Sequence, residues 1–293
     1  MVIIDGKLIS AQIRSELKIV IEQLCKVTGK TPGLAAILVG ENPASKVYVG
    51  MKSKACNEIG INSFVEKLDE NISENALLNV IKKFNDDVNI HGILVQLPLP
   101  KHINQDKILN SISVQKDIDG FHPYNVGNLV IGHDTFFPCT PNGILELLER
   151  YNIGVSGKHV VVIGRSNIVG KPIANMLLQK NKNANATVTV CHSNSGDISR
   201  YTIQADILIA AIGKPEIIKE NMIKEGAVVI DVGVNRIEAN SEKGYKLVGD
   251  VDYKNVLNKV SAITPVPGGV GPMTIAMLLK NTIKAFKLIN NID

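Results

Sequence analysis

Two polar side chains, Tyr48 and Lys52, stand four positions apart in a segment with a helical pattern, so they share one helix face. The expected apolar face, formed by Val47, Met51 and Ala55, is offset from them, so the pair need not point into the core. The segment follows a predicted strand, at the edge where open α/β sheets bind ligands. A lysine there can serve as an acid or base, whereas an unplaced pair of this kind is usually a solvated lysine beside a tyrosine.

A glutamine and two aspartates follow at positions where a strand ends and a turn begins. Gln96 ends the run GILVQ, so its amide should emerge at the same sheet edge. There it can meet a lysine ammonium or a ligand amide, or it can bond its own loop backbone. Asp117 and Asp119 carry carboxylates just before Gly120. No other Asp, Glu or His cluster completes a metal site, so we predict none. A turn in which one aspartate bonds nearby N–H groups is the alternative to binding.

A second candidate site lies in the stretch KHVVVIGRSNIVGKPIANMLL. The β-branched run His159–Ile163 predicts a buried parallel strand that breaks at Gly164, and Gly170 precedes a helical pattern. A strand, a glycine turn and a helix together expose backbone N–H groups to a phosphate, which favours a nucleotide site. The spacing differs from the general dinucleotide pattern G-x-G-x-x-G, so a tight turn with only a packing role is the alternative.

The residues after Cys191 bear on the choice of cofactor. A domain that selects NAD usually places Asp or Glu after this strand, whereas this chain has His192, Ser193 and Asn194. Without a carboxylate a 2′-phosphate is not repelled, and Ser193 and Arg165 can donate hydrogen bonds to it. The sequence therefore predicts NADP.

The elements that must position these residues alternate between strand and helix, which predicts parallel sheets covered by helices. KDIDGFHPYNVG and Ala239–Lys246 are predicted as loops, and helices are predicted over Ile144–Tyr151 and from Met273 onward. The helix of Tyr48 and Lys52 is expected to be capped by Asn42, to hold Pro43 in its first turn and to end at Gly60. Because the last helix lies beyond the nucleotide-binding part, we expect it to return to the first domain. The predicted strands are Gly33–Val39, Ser63–Val65 and Ile90–Gln96, followed in a doubly wound pattern by His159–Ile163, Thr187–Cys191, Asp206–Ala210 and Ala227–Asp231.

Composition excludes several classes of protein. A chain of 293 residues with 45% apolar content is globular and long enough for two domains. No apolar run approaches the ~18 residues that span a bilayer, and MVIIDGKLIS lacks a secretory signal, so we expect a cytoplasmic protein. The 4 cysteines are scattered without a C-x-x-C pair, which predicts free thiols. A net charge of +4 without a Lys/Arg block argues against nucleic acid.

Seven motifs occur in a fixed order along the chain: YVGMK, VQLPLP, KDIDGF, PCTP, GRSNIVGKP, CHS and PVPGGVGPMT. Together they resemble the bifunctional methylenetetrahydrofolate dehydrogenase/methenyltetrahydrofolate cyclohydrolase family over nearly the whole chain. The resemblance implies two α/β domains flanking a cleft, with a folate-binding catalytic domain at 1–139 and 268–293 and a Rossmann-type NADP-binding domain at 140–267. It also implies a homodimer formed through the nucleotide domains.

The resemblance also implies an activity. The family oxidises 5,10-methylenetetrahydrofolate to 5,10-methenyltetrahydrofolate with NADP and hydrolyses the product to 10-formyltetrahydrofolate. Tetrahydrofolate derivatives are therefore the expected ligands, in one-carbon metabolism and purine biosynthesis. Because no synthetase segment is present in the sequence, we expect the formate-activating activity to be absent.

Individual residues take their roles from the same motifs. Lys52 matches the family's catalytic lysine, and Tyr48 matches the tyrosine that stacks on the pterin. Gln96 matches the glutamine that holds this lysine, and Asp119 matches the acid that binds the pterin. The further residues expected in the substrate site are Leu97, Pro265, Gly268 and Gly269. Those expected in the cofactor site are Gly164, Arg165, Ser166, Ile168, Ser193, Ile212, Gly213 and Val234.

One departure from the family and two alternative functions remain. Many members carry a basic residue soon after the CHS segment, whereas Asn194, Ser195 and Gly196 follow here, which bears on how strongly NADP is preferred. An NADP-linked dehydrogenase of another small substrate, with Lys52 as general acid as in shikimate-type enzymes, is the alternative within enzymes. A nucleotide-sensing regulatory domain is the alternative outside them, and the complete set of four predicted catalytic residues argues against it.

Overall fold

The computed structural model describes residues 1–240 and 244–292, and the chain divides into two compact units. The small-sheet unit consists of residues 11–128, 134–137 and 275–292. The large-sheet unit consists of residues 1–10, 129–133 and the described part of 138–274.

Strands and helices alternate along the chain, as the apolar pattern predicts. In chain order the first elements are β1 (Val2–Ile3), α1 (Gly6–Thr28), β2 (Gly33–Val39), α2 (Pro43–Ile59), β3 (Asn62–Leu68), α3 (Glu74–Asp86), β4 (Gly92–Val95), α4 (Gln105–Asn110), α5 (Pro123–Ile131) and α6 (Cys139–Arg150). They are followed by β5 (His159–Ile163), α7 (Gly170–Leu178), β6 (Thr187–Cys191), α8 (Ser199–Thr202), β7 (Ile207–Ala210), β8 (Val228–Asp231), β9 (Asn235–Glu238), β10 (Tyr245–Val248), α9 (Tyr253–Val256), β11 (Ala262–Ile263) and α10 (Val270–Ile289).

The small-sheet unit is built on a parallel sheet with the strand order β3-β2-β4. Strand β2 lies in the middle and is buried along its whole length, which explains its uninterrupted apolar sequence GLAAILV. Leu77 and Ile81 of α3 belong to the same buried cluster as Ala35 and Ile37 of β2. Helix α3 therefore covers one face of this sheet.

The large-sheet unit is built on a parallel sheet with the strand order β1-β11-β8-β7-β5-β6. Strand β5 lies between β6 and β7, so the chain builds outward on one side of β5 and then returns to its other side. In doubly wound folds the point where the strand order reverses is where nucleotides bind. The predicted fold class is therefore confirmed, and the reversal lies between β5 and β7.

Strand β1 shows where the compact units differ from the predicted domains. Val2 and Ile3 pair in parallel with β11, so the start of the chain belongs to the large sheet. The predicted division assigned residues 1–139 and 268–293 to one domain, whereas the compact units place residues 1–10 with the large sheet. A compact unit need not coincide with a functional domain, so the predicted boundaries remain a prediction.

The structure corrects three predictions of local structure. The predicted loop KDIDGFHPYNVG contains the start of α5, because Pro123 suits the first turn of a helix. Helix α6 begins at Cys139 and not at Ile144, since proline is also tolerated in its first turn. The predicted loop Ala239–Lys246 overlaps β10, which pairs antiparallel with β9, and residues 241–243 lie outside the described part of the chain.

Helix α10 leaves the large-sheet unit and continues in the small-sheet unit from residue 275. There the side-chain amide of Asn281 donates to the carbonyl oxygens of Ile118 at 2.7 Å and Phe137 at 3.0 Å. The ring of Phe286 contacts that of His91 edge to face, with 4.7 Å between centroids. These contacts confirm the predicted return of the last helix. None of the described helices, α10 included, is long and apolar enough to cross a membrane.

Candidate active site

Helix α2 places the predicted catalytic lysine, and its two ends are fixed by local chemistry. The side-chain oxygen of Asn42 accepts hydrogen bonds from the backbone N–H groups of Ala44 at 3.0 Å and Ser45 at 3.1 Å. Pro43 occupies the first turn, and Gly60 ends the helix with a φ of 89°. The cap, the proline and the terminating glycine were all predicted from the sequence and are confirmed.

The buried stripe of α2 differs from the predicted apolar face. Val47 and Met51 are 59% and 49% exposed, so the predicted stripe is wrong in these two positions. The side chains that are buried follow helical spacing on either side of Lys52, which is itself half-buried. A lysine therefore occupies a core-facing position of the helix. The buried residues of α2 are Ser45, Val49, Ala55, Cys56 and Ile59, so the predicted apolar position of Ala55 is confirmed.

Lys52 and Gln96 form the central contact of the site. The lysine Nζ donates to the glutamine Oε1 at 3.1 Å, and the glutamine Nε2 donates to the carbonyl oxygen of Leu97 at 2.8 Å. An ammonium can only donate and a carbonyl can only accept, so both partners require the same orientation of the amide. The sequence offered a lysine partner and the loop backbone as alternatives for Gln96, and in the structure its amide bonds to both.

On α2, Lys52 has an exposed tyrosine one turn before it and an inert thiol one turn after it. Tyr48, four positions before Lys52 on the same helix face, is 45% exposed. Burial raises the pKa of the Cys56 thiol to about 12, and the positive charge of Lys52 only partly opposes this effect. Cys56 is therefore a packing group and not a nucleophile.

The two aspartates of KDIDG have separate roles. Asp117 is buried, and its carboxylate accepts hydrogen bonds from the N–H groups of Phe121 at 3.2 Å and His122 at 2.8 Å. It also accepts from the side-chain amide of Asn125 at 2.7 Å. Burial raises the pKa of Asp117, and these three bonds oppose that effect. Asp117 is thus the turn-forming aspartate that the sequence offered as an alternative to binding. Asp119 is half-buried.

The loop that carries Asp119 is fixed on its N-terminal side by two residues. Asp117 bridges in parallel to Ile93 of β4, so the loop runs toward the end of β4 at which Gln96 follows. Before it, the buried Lys116 donates to the carbonyl oxygens of residues 84, 85 and 87 at the end of α3, at 3.0, 2.7 and 2.8 Å. Burial lowers the pKa of this lysine. Lys116 is a helix cap, and sequence analysis missed it.

At the strand-order reversal of the large sheet, two loops meet without a side chain between them. A Cβ on Gly164, after β5, would lie 2.2 Å from the carbonyl oxygen of Ala211, after β7. Gly164 has a φ of 122°, and a Cβ on Gly170 would lie 2.1 Å from the oxygen of Gly164. Both glycines are therefore required by close backbone approach, which is the packing role that the sequence offered as an alternative. That role is compatible with a nucleotide site at the same point.

Several predicted cofactor residues line this edge. The Ser166 hydroxyl oxygen accepts from the N–H groups of Val169 at 3.1 Å and Gly170 at 3.4 Å, which leaves its own hydrogen to donate. Arg165 is exposed, and no described residue pairs with it. Ser193 is exposed and contacts only its neighbour Asn194, at 3.4 Å, within the described chain. Ile168 and Val234 are 44% and 48% exposed.

The predicted substrate residues after β11 also lie in the large-sheet unit. The N–H of Gly269 donates to the carbonyl oxygen of Pro265 at 2.8 Å, closing a turn. The oxygen of Gly268 accepts from the N–H of Lys7 at 2.9 Å. A Cβ on Gly6 would lie 1.8 Å from the oxygen of Gly269, so the start of α1 packs directly on this turn. Among the residues that the structure describes, no group of His, Cys, Asp and Glu side chains could hold a metal ion.

Comparison with known proteins bears on both units. Residues 4–119 match the family described as "Tetrahydrofolate dehydrogenase/cyclohydrolase, catalytic domain", and residues 138–290 match the corresponding "NAD(P)-binding domain". The chain belongs to the tetrahydrofolate dehydrogenase/cyclohydrolase family. The family, the enzyme class and the two predicted activities are thereby confirmed. Membership favours the folate enzyme over both alternatives, the shikimate-type dehydrogenase and the nucleotide-sensing domain.

Individual relatives of this tetrahydrofolate dehydrogenase/cyclohydrolase agree over full length. The bifunctional protein FolD of Chlorobium phaeobacteroides strain BS1 is 58% identical, over 100% of this chain and 99% of the relative. The crystal structure of the FolD methylenetetrahydrofolate dehydrogenase/cyclohydrolase from Campylobacter jejuni is 55% identical, with a TM-score of 0.93 over 98% and 99% of the two chains. The Trypanosoma brucei enzyme, complexed with NADP cofactor and inhibitor, is 39% identical with a TM-score of 0.93 over 98% of each chain.

Proposed function

We propose that this chain oxidises 5,10-methylenetetrahydrofolate to 5,10-methenyltetrahydrofolate with NADP and then hydrolyses the product to 10-formyltetrahydrofolate. The observation that carries the proposal is the hydrogen bond between Lys52 and Gln96, which fixes an amine one helical turn after the exposed Tyr48. A pterin needs an aromatic face on which to stack, and its reacting carbon needs a group that can move a proton. This part of α2 offers both.

The oxidation requires positioning more than acid–base chemistry. Loss of a hydride from the methylene carbon produces a resonance-stabilised cation, and no proton has to move in that step. Bound NADP supplies the acceptor for this hydride. The task of the protein is then to hold the folate, for which we propose stacking on Tyr48 and a hydrogen bond to Asp119. Leu97, Pro265, Gly268 and Gly269 remain predicted substrate residues.

The hydrolysis requires a group that can both accept and donate a proton. Water loses a proton as it attacks the methenyl carbon, and a ring nitrogen gains one as the bond breaks. We assign both transfers to Lys52. Its stem is held in the buried stripe of α2 and its amine is oriented by the neutral amide of Gln96. This hydrogen bond fixes where the amine points through a neutral partner, without a second charged group.

The large-sheet unit supports the proposed use of NADP. The turn from Gly164 to Gly170 brings backbone, the Ser166 hydroxyl and the exposed Arg165 to the point where the strand order reverses. Each suits a phosphate. We infer that NADP is preferred over NAD because the exposed Ser193, and no carboxylate, follows β6. The relative from Trypanosoma brucei was solved with NADP, which agrees with this assignment.

The cellular setting is a further part of the proposal. We place the enzyme in the cytoplasm, where its product would feed purine biosynthesis within one-carbon metabolism. Residues 1–139 with 268–293 are proposed as the folate-binding domain, and residues 140–267 as the NADP-binding domain. We also propose a homodimer formed through the nucleotide domains, and light scattering of the purified chain gives its mass directly.

A two-step assay with the purified chain tests the activity. Methenyl formation is followed after addition of methylenetetrahydrofolate and NADP, and its decay is followed after the oxidation is complete. We expect both steps, with decay faster than in buffer. If no methenyl compound forms although NADP binds, an NADP-linked dehydrogenase of another substrate is favoured. If NADP binds and no reduction of it occurs with any small substrate tried, the nucleotide-sensing alternative is favoured.

A further inference from the structure

Two buried carboxylates, Asp231 and Asp250, stand behind the loop that follows β7. Asp231 ends β8, Asp250 follows β10, and both belong to the large-sheet unit. Their exposed fractions are 2% and 0%. Neither was singled out by the sequence motifs. Charged groups are buried at such depth only when they are fully bonded, so the partners of these two carboxylates show what they do.

Asp250 binds three consecutive backbone N–H groups of one loop. Its Oδ2 accepts from the N–H of Ile212 at 2.6 Å and of Gly213 at 2.9 Å. Its Oδ1 accepts from the N–H of Lys214 at 3.0 Å and from the side-chain amide of Asn235 at 2.9 Å. Four hydrogen bonds to one buried side chain fix the loop closely.

Asp231 holds Asp250 in turn. Its Oδ1 accepts from the N–H groups of Gly233 at 3.0 Å and Asp250 at 2.9 Å, and its Oδ2 accepts from Val251 at 2.9 Å. A Cβ on Gly233 would lie 2.1 Å from Asp250 Oδ1, and a Cβ on Gly249 would lie 1.8 Å from Asp231 Oδ2. Each carboxylate thus fills the space that a side chain would need on the glycine beside it.

The bonded N–H groups determine what the loop can offer a ligand. Because the N–H groups of Ile212, Gly213 and Lys214 all point at Asp250, only carbonyl oxygens and side chains remain. The carbonyl oxygen of Ala211 packs against Gly164, and no described residue donates to the carbonyl oxygens of residues 212–214. The loop therefore presents acceptors, which suit an amide N–H donor of a ligand and not a phosphate. It lies on the β7 side of β5, away from Ser193, which follows β6.

We propose that Asp250 is a positioning residue for the nicotinamide cofactor. It shapes the loop of Ile212 and Gly213 so that carbonyl oxygens meet the carboxamide end of NADP, and Asp231 supports it from behind. This inference rests on the proposed function and on the prediction, made from the family resemblance, that Ile212 and Gly213 contact the cofactor. Because the loop does not face the 2′-phosphate side, its effect should be the same for NADP and NAD.

Asp250→Asn in the full-length enzyme tests this inference. An amide has one acceptor oxygen in place of two, so part of the N–H set loses its partner. We expect the dissociation constants of NADP and NAD to rise by the same factor, about tenfold. Cyclohydrolase turnover on the methenyl substrate, which needs no cofactor, should stay at the wild-type rate. Asp252→Asn is the matched control, since Asp252 pairs with the exposed Lys219 at 3.0 Å and should not affect cofactor affinity.

The outcomes separate this inference from the proposed function. If wild-type enzyme does not bind NADP, the proposed function fails. If wild type binds NADP and Asp250→Asn binds it equally well, the positioning role fails and the proposed function stands. If Asp250→Asn loses cofactor affinity and cyclohydrolase turnover together, Asp250 serves general folding and the positioning role also fails. If Asp250→Asn does not fold, Asn235→Ala removes one of the four donors at the same carboxylate. A smaller, equal loss for NADP and NAD is then expected, and unchanged affinity overturns the inference.

Discussion

Lys52 and Gln96 lie 44 positions apart in the chain, yet their side chains are joined by a hydrogen bond of 3.1 Å. The lysine comes from a helix that follows β2, and the glutamine comes directly after β4, the neighbour of β2 in the sheet. The parallel order of the two strands thus brings both side chains to one place. The neutral amide orients the amine, which leaves proton transfer to the substrate.

Replacement of Lys52 by methionine should separate the two activities. Lys52→Met keeps an unbranched apolar stem for the buried stripe of α2 and removes the amine. Hydrolysis needs proton transfer, so cyclohydrolase turnover should fall by about 10²–10⁴-fold or more. The dehydrogenase step moves no proton and should keep part of its rate. The two-step assay should then show the methenyl compound accumulating and decaying no faster than in buffer.

Lys52→Arg is the charge-matched control for this experiment. A guanidinium keeps the positive charge but does not release its proton at neutral pH, so this variant should also fail to hydrolyse the methenyl compound. If either variant hydrolyses it at the wild-type rate, Lys52 is not the acid–base group. Tyr48 and Lys52 would then form a binding surface only.

The two aspartates of KDIDG should respond differently to the same change. Asp119→Ala removes the proposed partner of the pterin, and the loss of such a charged partner commonly costs about 2–5 kcal/mol of binding free energy. Calorimetric titration should show weaker folate binding with unchanged NADP affinity. Asp117→Ala should instead lower the free energy of unfolding by about 2–4 kcal/mol, because it leaves buried donors unpaired.

The contrast between these two variants is the test. Urea unfolding of each variant measures stability independently of ligand binding. Should Asp119→Ala bind folate as tightly as the wild type, Asp119 has no binding role. If both variants are destabilised by the same amount, the separation of roles seen in the structure does not hold in solution.

Cofactor preference should depend on Ser193. Ser193→Asp places at the end of β6 the carboxylate that NAD-selecting domains use for the ribose hydroxyls, and that carboxylate repels a 2′-phosphate. The preference for NADP over NAD should be erased or reversed, as measured by kcat/KM for each cofactor. Ser193→Ala, which adds no charge, should change it much less. Equal kcat/KM values for NADP and NAD in the wild-type enzyme would contradict the proposed preference.

The sequence predicted the parts of the fold that depend on local chemistry. The cap at Asn42, the terminating Gly60 and the buried run of β2 follow from single residues or short runs, and all are confirmed. The pairing of β1 with β11 was missed, because two strand residues near the start of the chain carry no local signal of their partner. Partners distant in sequence are set by topology and not by propensity.

The same distinction applies to the candidate site. The motif KDIDG showed two carboxylates but not which one turns inward, since that depends on Asn125 and on the course of the following helix. Lys52 was found through its spacing from Tyr48, although a lysine within a helical stripe of buried residues would have been a stronger signal. Asp250 was missed because its donors, the N–H groups after β7, lie far from it in the chain.

The stability of the small-sheet unit should depend on pH through His91. This side chain is 2% exposed, and its Nδ1 accepts from the N–H of Gly33 at 3.0 Å. The hydrogen therefore sits on Nε2, which is buried without a partner among the described residues. Burial, with the positive charges of Lys116 and Lys30, lowers the pKa of His91 to about 4. The backbone of Asn89 and, less strongly, the negative charge of Asp87 oppose this only in part.

A lowered histidine pKa means that the folded state favours the neutral ring. Its contribution to stability is therefore fully present above about pH 6.5 and is lost as the pH falls from there to about 4. The loss should amount to about 3 kcal/mol, at 1.4 kcal/mol for each unit of pKa. His91→Asn keeps an acceptor for Gly33 but does not titrate, so urea unfolding across this range should show a shallower pH dependence than the wild type. His133→Asn, at an exposed position, should keep the wild-type slope, and an unchanged slope in His91→Asn would show that His91 does not control acid stability.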